Sequence, residues 1–525
     1  MAPHKSAVLA GPLAVLLLWL ACVLPSLDRT RLQDVDELTW ARVAQAAALG
    51  GHWWPLELDG RALYEKPPLL LWAAGATAKL SARPYAAWPY RLWTCLGAGL
   101  ALFCVALIGG LLGRPALGFA AALALALQGD FIFHARFFTF DTPFIACALA
   151  SLGLALRAAR GLKSRDWWMA GLALALAAAF KSWFVLALAP AFACALALTL
   201  PRGSRRGAAL ALALPPLAVL FLWVALYVRW DGWAFLSEEW SVNLAGRALG
   251  RVNEMDPQGH AAYYLKWAAR TTPALLPWVL AVPLGMAPQV LQRESGQGAE
   301  GRMGAFARTW IWAFCLSWLL GLALVRAETI NYPLPLEAGL CLAIGMELAL
   351  GQSPGRRAAQ ACLLLASVLS ALRLWDPFWS LASGAALGLL WMRAASEREA
   401  RSMPASARTA WTARVPLAFV VGLSLGLACL LGWEAFGLVQ RPLDPSRQVA
   451  DLLLAHPARV PDEVLWVIGG STQAIDFYSS YQVRWLQALP ARRPAQASLV
   501  ETRQGWIFYP ALAPPSAGSA PGRPS

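Results

Sequence analysis

Charge is scarce in this chain. Only 14% of its 525 residues are Asp, Glu, Lys or Arg, against about 25% in soluble domains, which excludes an ordinary soluble fold. The nine cysteines lack any paired spacing, so neither a disulfide framework nor a zinc site is indicated. Walker and dinucleotide fingerprints are missing. So is the two-residue alternation of a membrane β-barrel, and no repeated half with broken helices, the mark of many transporters, is visible. Composition likewise excludes disordered, collagenous and coiled-coil chains.

What the chain has in abundance is apolar surface: 58% hydrophobic residues and 27 tryptophans. Nearly uncharged runs of about 18 residues or more are candidate membrane spans, and about thirteen can be placed on that length. They lie near residues 7–26, 89–112, 115–132, 139–157, 166–181, 183–200, 208–229, 273–291, 309–326, 332–350, 359–375, 377–394 and 415–438. The first, behind Lys5, reads as a retained span and not a cleaved signal peptide, because similar runs follow it. The net charge of +14 forms no basic stripe and points to no nucleic acid. Its arginines fall in alternate connections, among them Arg114, Arg157, Arg160, Arg202, Arg205, Arg206, Arg356 and Arg357. By the positive-inside rule those connections face the cytoplasm.

The expectation is an all-α polytopic membrane protein over residues 1–439, with a long outer loop at about 26–88. Composition changes beyond 440 and predicts a small extracytoplasmic α/β domain over 440–510, with a helix at Arg447–His456 and strands at Glu463–Ile468, Gln482–Gln487 and Trp506–Tyr509. Residues 511–525, rich in Pro, Ala, Gly and Ser, are expected to be disordered.

Ionisable groups at membrane depth are costly and tend to mark function or an internal pair. In the outer loops they cluster. Asp34-Val35-Asp36-Glu37 opens a helical stretch; a carboxylate there could act as general base or simply cap the helix. Tyr64-Glu65-Lys66-Pro67-Pro68 presents a lysine on a stiff segment, either towards a lipid phosphate or as a snorkelling anchor. Asp141, within Arg136–Pro143, starts a membrane helix. Lys181 sits at a tight turn between two apolar runs. Arg247, Arg251 and His260 occupy the next outer loop, which ends Ala261-Ala262-Tyr263-Tyr264. Carboxylates and cations on one membrane face suit displacement at a lipid-linked phosphate: the acid activates the acceptor, and the cations stabilise charge on the departing oxygen.

Three motifs carry a family resemblance: Asp36-Glu37-Leu38-Thr39-Trp40-Ala41-Arg42-Val43-Ala44, Gly51-His52-Trp53-Trp54-Pro55 and Tyr64-Glu65-Lys66-Pro67-Pro68-Leu69. In order and spacing they resemble the bacterial undecaprenyl-phosphate aminoarabinose transferases, within the GT-C glycosyltransferases related to dolichyl-phosphate-mannose protein mannosyltransferases (glycosyltransferase family 83). The likeness extends through Arg136–Pro143, Lys181, Arg247, Ala262-Tyr263-Tyr264 and Asn331-Tyr332-Pro333-Leu334-Pro335. It implies Asp36 as the carboxylate at the reaction centre, with Glu37 beside it and Asp141 as a second acid. Lys66, Lys181 and Arg247 would bind the donor phosphate, and Tyr64, Tyr263 and Tyr332 would line the cavity. Glu65, with His260, would serve a divalent metal; the sequence requires no cofactor, and such a metal is optional. Thr39, Glu328-Thr329 and Lys181-Ser182-Trp183 depart from the aminoarabinose pattern, so sugar and acceptor stay open.

The resemblance thus implies a glycosyltransferase of the bacterial inner membrane. It would move a sugar from a polyprenyl-phosphate donor to a lipid, glycan or protein acceptor at the periplasmic face, by inverting displacement. A lipid-linked sugar flippase and a binding or assembly subunit are the alternatives. A flippase calls for polar residues deep within several spans, whereas here they cluster in outer loops.

Overall fold

The computed structural model describes residues 5–29, 36–58, 61–126, 128–245, 298–324 and 332–350, the single residues Leu32 and Leu275, and four strands nearer the C-terminus. In chain order the helices are α1 (Lys5–Val23), α2 (Asp36–Gly50), α3 (Leu69–Leu80), α4 (Trp88–Leu111), α5 (Pro115–Ala126), α6 (Gly129–Ala135), α7 (Asp141–Gly161), α8 (Ser164–Lys181), α9 (Ala189–Thr199), α10 (Arg202–Asp231), α11 (Trp233–Glu238), α12 (Ala299–Leu324) and α13 (Leu334–Leu350). Among the described residues, α4, α7, the joined stretch Ser164–Thr199, α10 and α12 are long and apolar enough to cross a membrane. The expected spans near 273–291, 359–375, 377–394 and 415–438, the helix at Arg447–His456 and the tail 511–525 lie outside the described residues.

Three expected runs take a different form. The run 115–132 divides into α5 and α6, because Gln128 adopts an extended backbone (φ −75°, ψ 128°) at the start of α6. The runs 166–181 and 183–200 are joined through a short 3-10 segment, Ser182–Leu188.

Small residues let the spans approach. A Cβ on Gly97 of α4 would lie 2.6 Å from the Pro143 nitrogen of α7, so the two backbones touch there. Close by, the Thr142 hydroxyl donates to the Thr94 carbonyl at 2.7 Å. Tryptophans fasten other pairs: Trp19 Nε1 donates to the Cys95 carbonyl at 3.1 Å, joining α1 to α4, and Trp318 Nε1 donates to the Tyr332 carbonyl at 2.7 Å, joining α12 to the entry of α13. A continuous apolar core runs through these helices. In it the Trp19 and Trp318 indole N–H groups are satisfied on backbone carbonyls, as burial favours, whereas Trp223 Nε1 and Trp310 Nε1 are buried with no partner among the described residues.

The segment between α1 and α4 has a core of its own. Leu38, Trp40, Ala41 and Ala44 on one side of α2 pack with Leu70, Leu71 and Ala74 of α3, and with Tyr90, Phe138 and Phe140. Their spacing along α2 follows the helical repeat that builds an apolar stripe. The helix stops where Gly51 takes a left-handed conformation (φ 74°), and its N–H closes on the Ala47 carbonyl at 3.1 Å, a cap that glycine favours. A two-stranded hairpin follows, β1 (Glu57–Leu58) with β2 (Arg61–Ala62).

Near the C-terminus, β3 (Val464–Ile468), β4 (Gln482–Leu486), β5 (Ser498–Thr502) and β6 (Gly505–Tyr509) form a sheet in the order β4-β3-β6-β5. The pair β5–β6 is antiparallel and the others are parallel. Three of these strands match the sequence expectation; β5 was not expected.

Candidate active site

The adjacent acids Asp36 and Glu37 begin α2 and take different environments. Asp36 is exposed. Glu37 is 0% exposed and is gripped by Arg91 of α4, itself 2% exposed: Arg91 Nε meets Glu37 Oε1 and Nη2 meets Oε2, both at 2.7 Å. Arg91 Nη1 also donates to the Leu27 carbonyl at 3.0 Å, and the Phe138 N–H donates to Glu37 Oε1 at 2.9 Å. A fork-to-fork pair of this kind is geometrically specific. Sequence reasoning expects Glu37 at the chemistry; this geometry gives it the work of holding α2 to α4 and to the segment before α7.

From Asp36 a line of contacts crosses the site. Trp40 stands one helical turn along α2, on the same face as Asp36, and the Lys66 ammonium lies over its ring, 5.9 Å from the centroid. The far edge of Trp40 meets Phe140 at 5.1 Å in a T-shaped contact. The next residue, Asp141, opens α7 and forms a buried ion pair with Lys181 at the end of α8. The Lys181 ammonium is enclosed further by the rings of Phe184, at 4.4 Å, and Tyr332, at 5.4 Å. Segments far apart in sequence thus connect Lys66, Trp40, Phe140, Asp141, Lys181 and Tyr332 in a chain of contacts, with Asp36 one turn from Trp40 on α2.

Tyr64 stands to one side. Its ring meets Tyr227 and Phe235, each at 5.4 Å, and the Tyr227 hydroxyl donates to the Leu63 carbonyl at 2.6 Å. These contacts fix the hairpin segment against α10 and α11. Arg247, Tyr263 and His260 lie outside the described residues.

Of the two residues expected at a metal, His260 lies outside the described residues. Glu65 is engaged with the Lys66 ammonium at 3.3 Å, and among the described residues no three His, Cys, Asp or Glu side chains gather as a metal ion requires. No step below is routed through one.

Sequence reasoning missed several polar groups. Arg91 was passed over as part of an apolar run, although a charge inside a span is itself a signal. Asp130 and His134 face one another at 3.6 Å, one turn apart on α6. Asp130 Oδ2 and both Glu337 oxygens are buried without a hydrogen-bond partner among the described residues. Trp183 Nε1 donates to Glu239 at 2.9 Å, a pairing across 56 residues that no local pattern announces.

Residues 65–230 match the family model described as dolichyl-phosphate-mannose-protein mannosyltransferase. No curated protein matches the chain by sequence. Among solved structures, ArnT from Cupriavidus metallidurans bound to undecaprenyl phosphate is similar, with a TM-score of 0.59 at 17% identity over 92% of this chain and 86% of that one. The same protein in its apo state gives 0.58 at 17% identity over the same shares. This chain therefore has the fold of the GT-C membrane glycosyltransferases, and its residues 65–230 carry the family match to the dolichyl-phosphate-mannose-protein mannosyltransferases.

Proposed function

We propose that the protein transfers a sugar from a polyprenyl-phosphate donor to a lipid, glycan or protein acceptor. The reaction runs at the periplasmic face of a bacterial inner membrane. The observation that carries this reading is the contact line Lys66–Trp40–Phe140–Asp141–Lys181–Tyr332, which links two ammonium groups to α2, the helix that the exposed Asp36 begins. The fold shared with ArnT, which was crystallised with undecaprenyl phosphate, supports the choice of donor.

The donor phosphate rests against Lys66 and Lys181, with Arg247 supplying a third cation. Each lysine carries three donor protons, so Lys181 can keep Asp141 and still offer protons to a phosphate oxygen. Asp36 accepts the proton of the acceptor hydroxyl or amine. The freed lone pair attacks the anomeric carbon from the side opposite the phosphate. The bond from that carbon to the phosphate oxygen breaks and its electron pair stays on the oxygen, where the ammonium groups stabilise it. The products are the inverted glycoside and the polyprenyl phosphate. In a cleft partly closed to water these charges act more strongly than at a free surface.

The test is transfer by the full chain in nanodiscs, supplied with labelled polyprenyl-phosphate sugars, alongside mass spectrometry of envelope lipids and glycoproteins from a deletion strain. A sugar mass missing from one molecule identifies the acceptor. Asp36→Asn should abolish transfer while the protein still folds; retained turnover would remove Asp36 from the reaction. Movement of the intact donor across the bilayer with no glycoside formed would favour a flippase.

A further inference from the structure

The backbone at Ser182 is in a conformation that L-residues seldom adopt. Its φ of 55° and ψ of −133° match the first central position of a type II′ turn, where glycine is the usual occupant. Strain of this sort persists only where the surroundings over-determine it. Ser182 itself is buried, and its N–H closes the end of α8 on the Ala178 carbonyl.

The residues on either side of Ser182 are anchored to different elements. Lys181 is paired with Asp141 at the start of α7. Trp183 donates its indole N–H to Glu239 at 2.9 Å, while its ring tilts against Trp223 of α10, 6.0 Å away. Glu239 is 4% exposed and begins the π-helical turn Glu239–Leu244 that follows α11. Wide turns of that kind often accompany functional sites. The strained residue therefore sits between a buried ion pair on one side and a part-buried hydrogen bond to a carboxylate on the other, each tying its neighbour to a different element.

We infer that the Trp183–Glu239 hydrogen bond is a positioning clamp: it holds the turn at Ser182 in its strained form and so aims the Lys181 ammonium at the site assigned above to the donor phosphate. This rests on the proposed function for the identity of the ligand, but the clamp itself acts on the turn. Relaxation of Ser182 towards an ordinary backbone conformation would rotate the chain at Lys181 and draw its ammonium away from Asp141. Glu239 acts through Trp183 and the turn, without touching the sugar. The amide oxygen of glutamine can replace a carboxylate as acceptor, and glycine at 182 adopts the same backbone without strain. Both substitutions are therefore informative.

Two readouts on the full chain in nanodiscs test the clamp. The first is independent of any ligand: acetic anhydride labelling of Lys181, followed by peptide mass spectrometry. Wild type should be protected. Trp183→Phe, which keeps a ring and loses the donor, and Glu239→Leu should label about tenfold faster, equivalent to about 1.4 kcal/mol of lost protection. Glu239→Gln should stay protected, and Ser182→Gly added to Trp183→Phe should restore protection. The second readout is binding of undecaprenyl phosphate, which should weaken and recover in the same pattern. A melting temperature shared by Trp183→Phe and the double variant, with labelling that differs between them, separates aiming from general stability. Unchanged labelling in Trp183→Phe, or no rescue by Ser182→Gly, would overturn the clamp. The expected labelling pattern in a protein that binds no undecaprenyl phosphate would overturn the donor assignment and leave the clamp standing.

Discussion

Arg91 and Glu37 meet through both guanidinium nitrogens of one fork and both carboxylate oxygens, at 2.7 Å each, with neither residue more than 2% exposed. Removing one partner strands the other as a buried charge, at a cost of about 3–5 kcal/mol. Glu37→Leu and Arg91→Leu should each lower folded yield and melting temperature sharply, as read by fluorescence-detected size exclusion after heating. The double variant, with no stranded charge, should recover most of that loss. A double variant as unstable as either single one would show that the polar pair itself is needed.

Asp141 and Lys181 allow stability and activity to be separated. Asp141→Asn leaves the buried ammonium of Lys181 without its carboxylate, and a loss of about 3 kcal/mol is expected for such a break. Adding Lys181→Met removes the charge and should return the melting temperature towards wild type. Transfer should stay abolished, because the phosphate has lost a cation. Activity returning together with stability would remove Lys181 from donor binding.

Gly97 carries the approach of α4 to α7. An alanine Cβ there would lie 2.6 Å from a backbone nitrogen and 2.8 Å from the Pro143 Cα, and backbone yields less readily than a side chain. Gly97→Ala should destabilise by about 1–3 kcal/mol, the usual range for overpacking. The shift is measurable as a lower thermal midpoint in detergent, and a midpoint equal to wild type would mean that the helices part at little cost.

Tyr227→Phe isolates one tie between the outer segment and the bundle. It removes the hydroxyl that donates to the Leu63 carbonyl and keeps the ring contacts with Trp54, Tyr64 and Phe235. A neutral hydrogen bond is worth about 0.5–1.5 kcal/mol, so the melting temperature should fall slightly. Hydrogen exchange should rise locally, in residues 61–66. Exchange unchanged there would show that aromatic packing alone fixes the segment.

How much of this could be read from the sequence depends on the range of the interaction. The helical spans announced themselves through long apolar runs, and α2 through its apolar stripe, because both patterns are local. The site residues Asp36, Lys66, Asp141 and Lys181 stood out because charge is rare in such a chain and each sits next to a turn or a helix start. What stayed hidden was pairing across distance. Nothing near Glu37 names Arg91 as its partner, 54 residues away, so the pairing that holds this acid could not be read locally. The break at Gln128 was missed because the hydropathy of the surrounding run masks one extended residue. Trp183 shows no local sign of its partner, since its indole N–H finds Glu239 only once the chain has folded.

A helix advances by about 100° for each residue, so the direction of any one side chain follows from that of its neighbour. Immobilising Glu37 therefore orients Asp36 as well: the reagent proposed for proton transfer gets its bearing from the ion pair of the adjacent residue. One residue added in the first turn of α2, after Glu37, would turn that anchoring carboxylate into the direction Asp36 now takes, and one residue lost there would turn Asp36 into the direction Glu37 now takes, towards the protein interior.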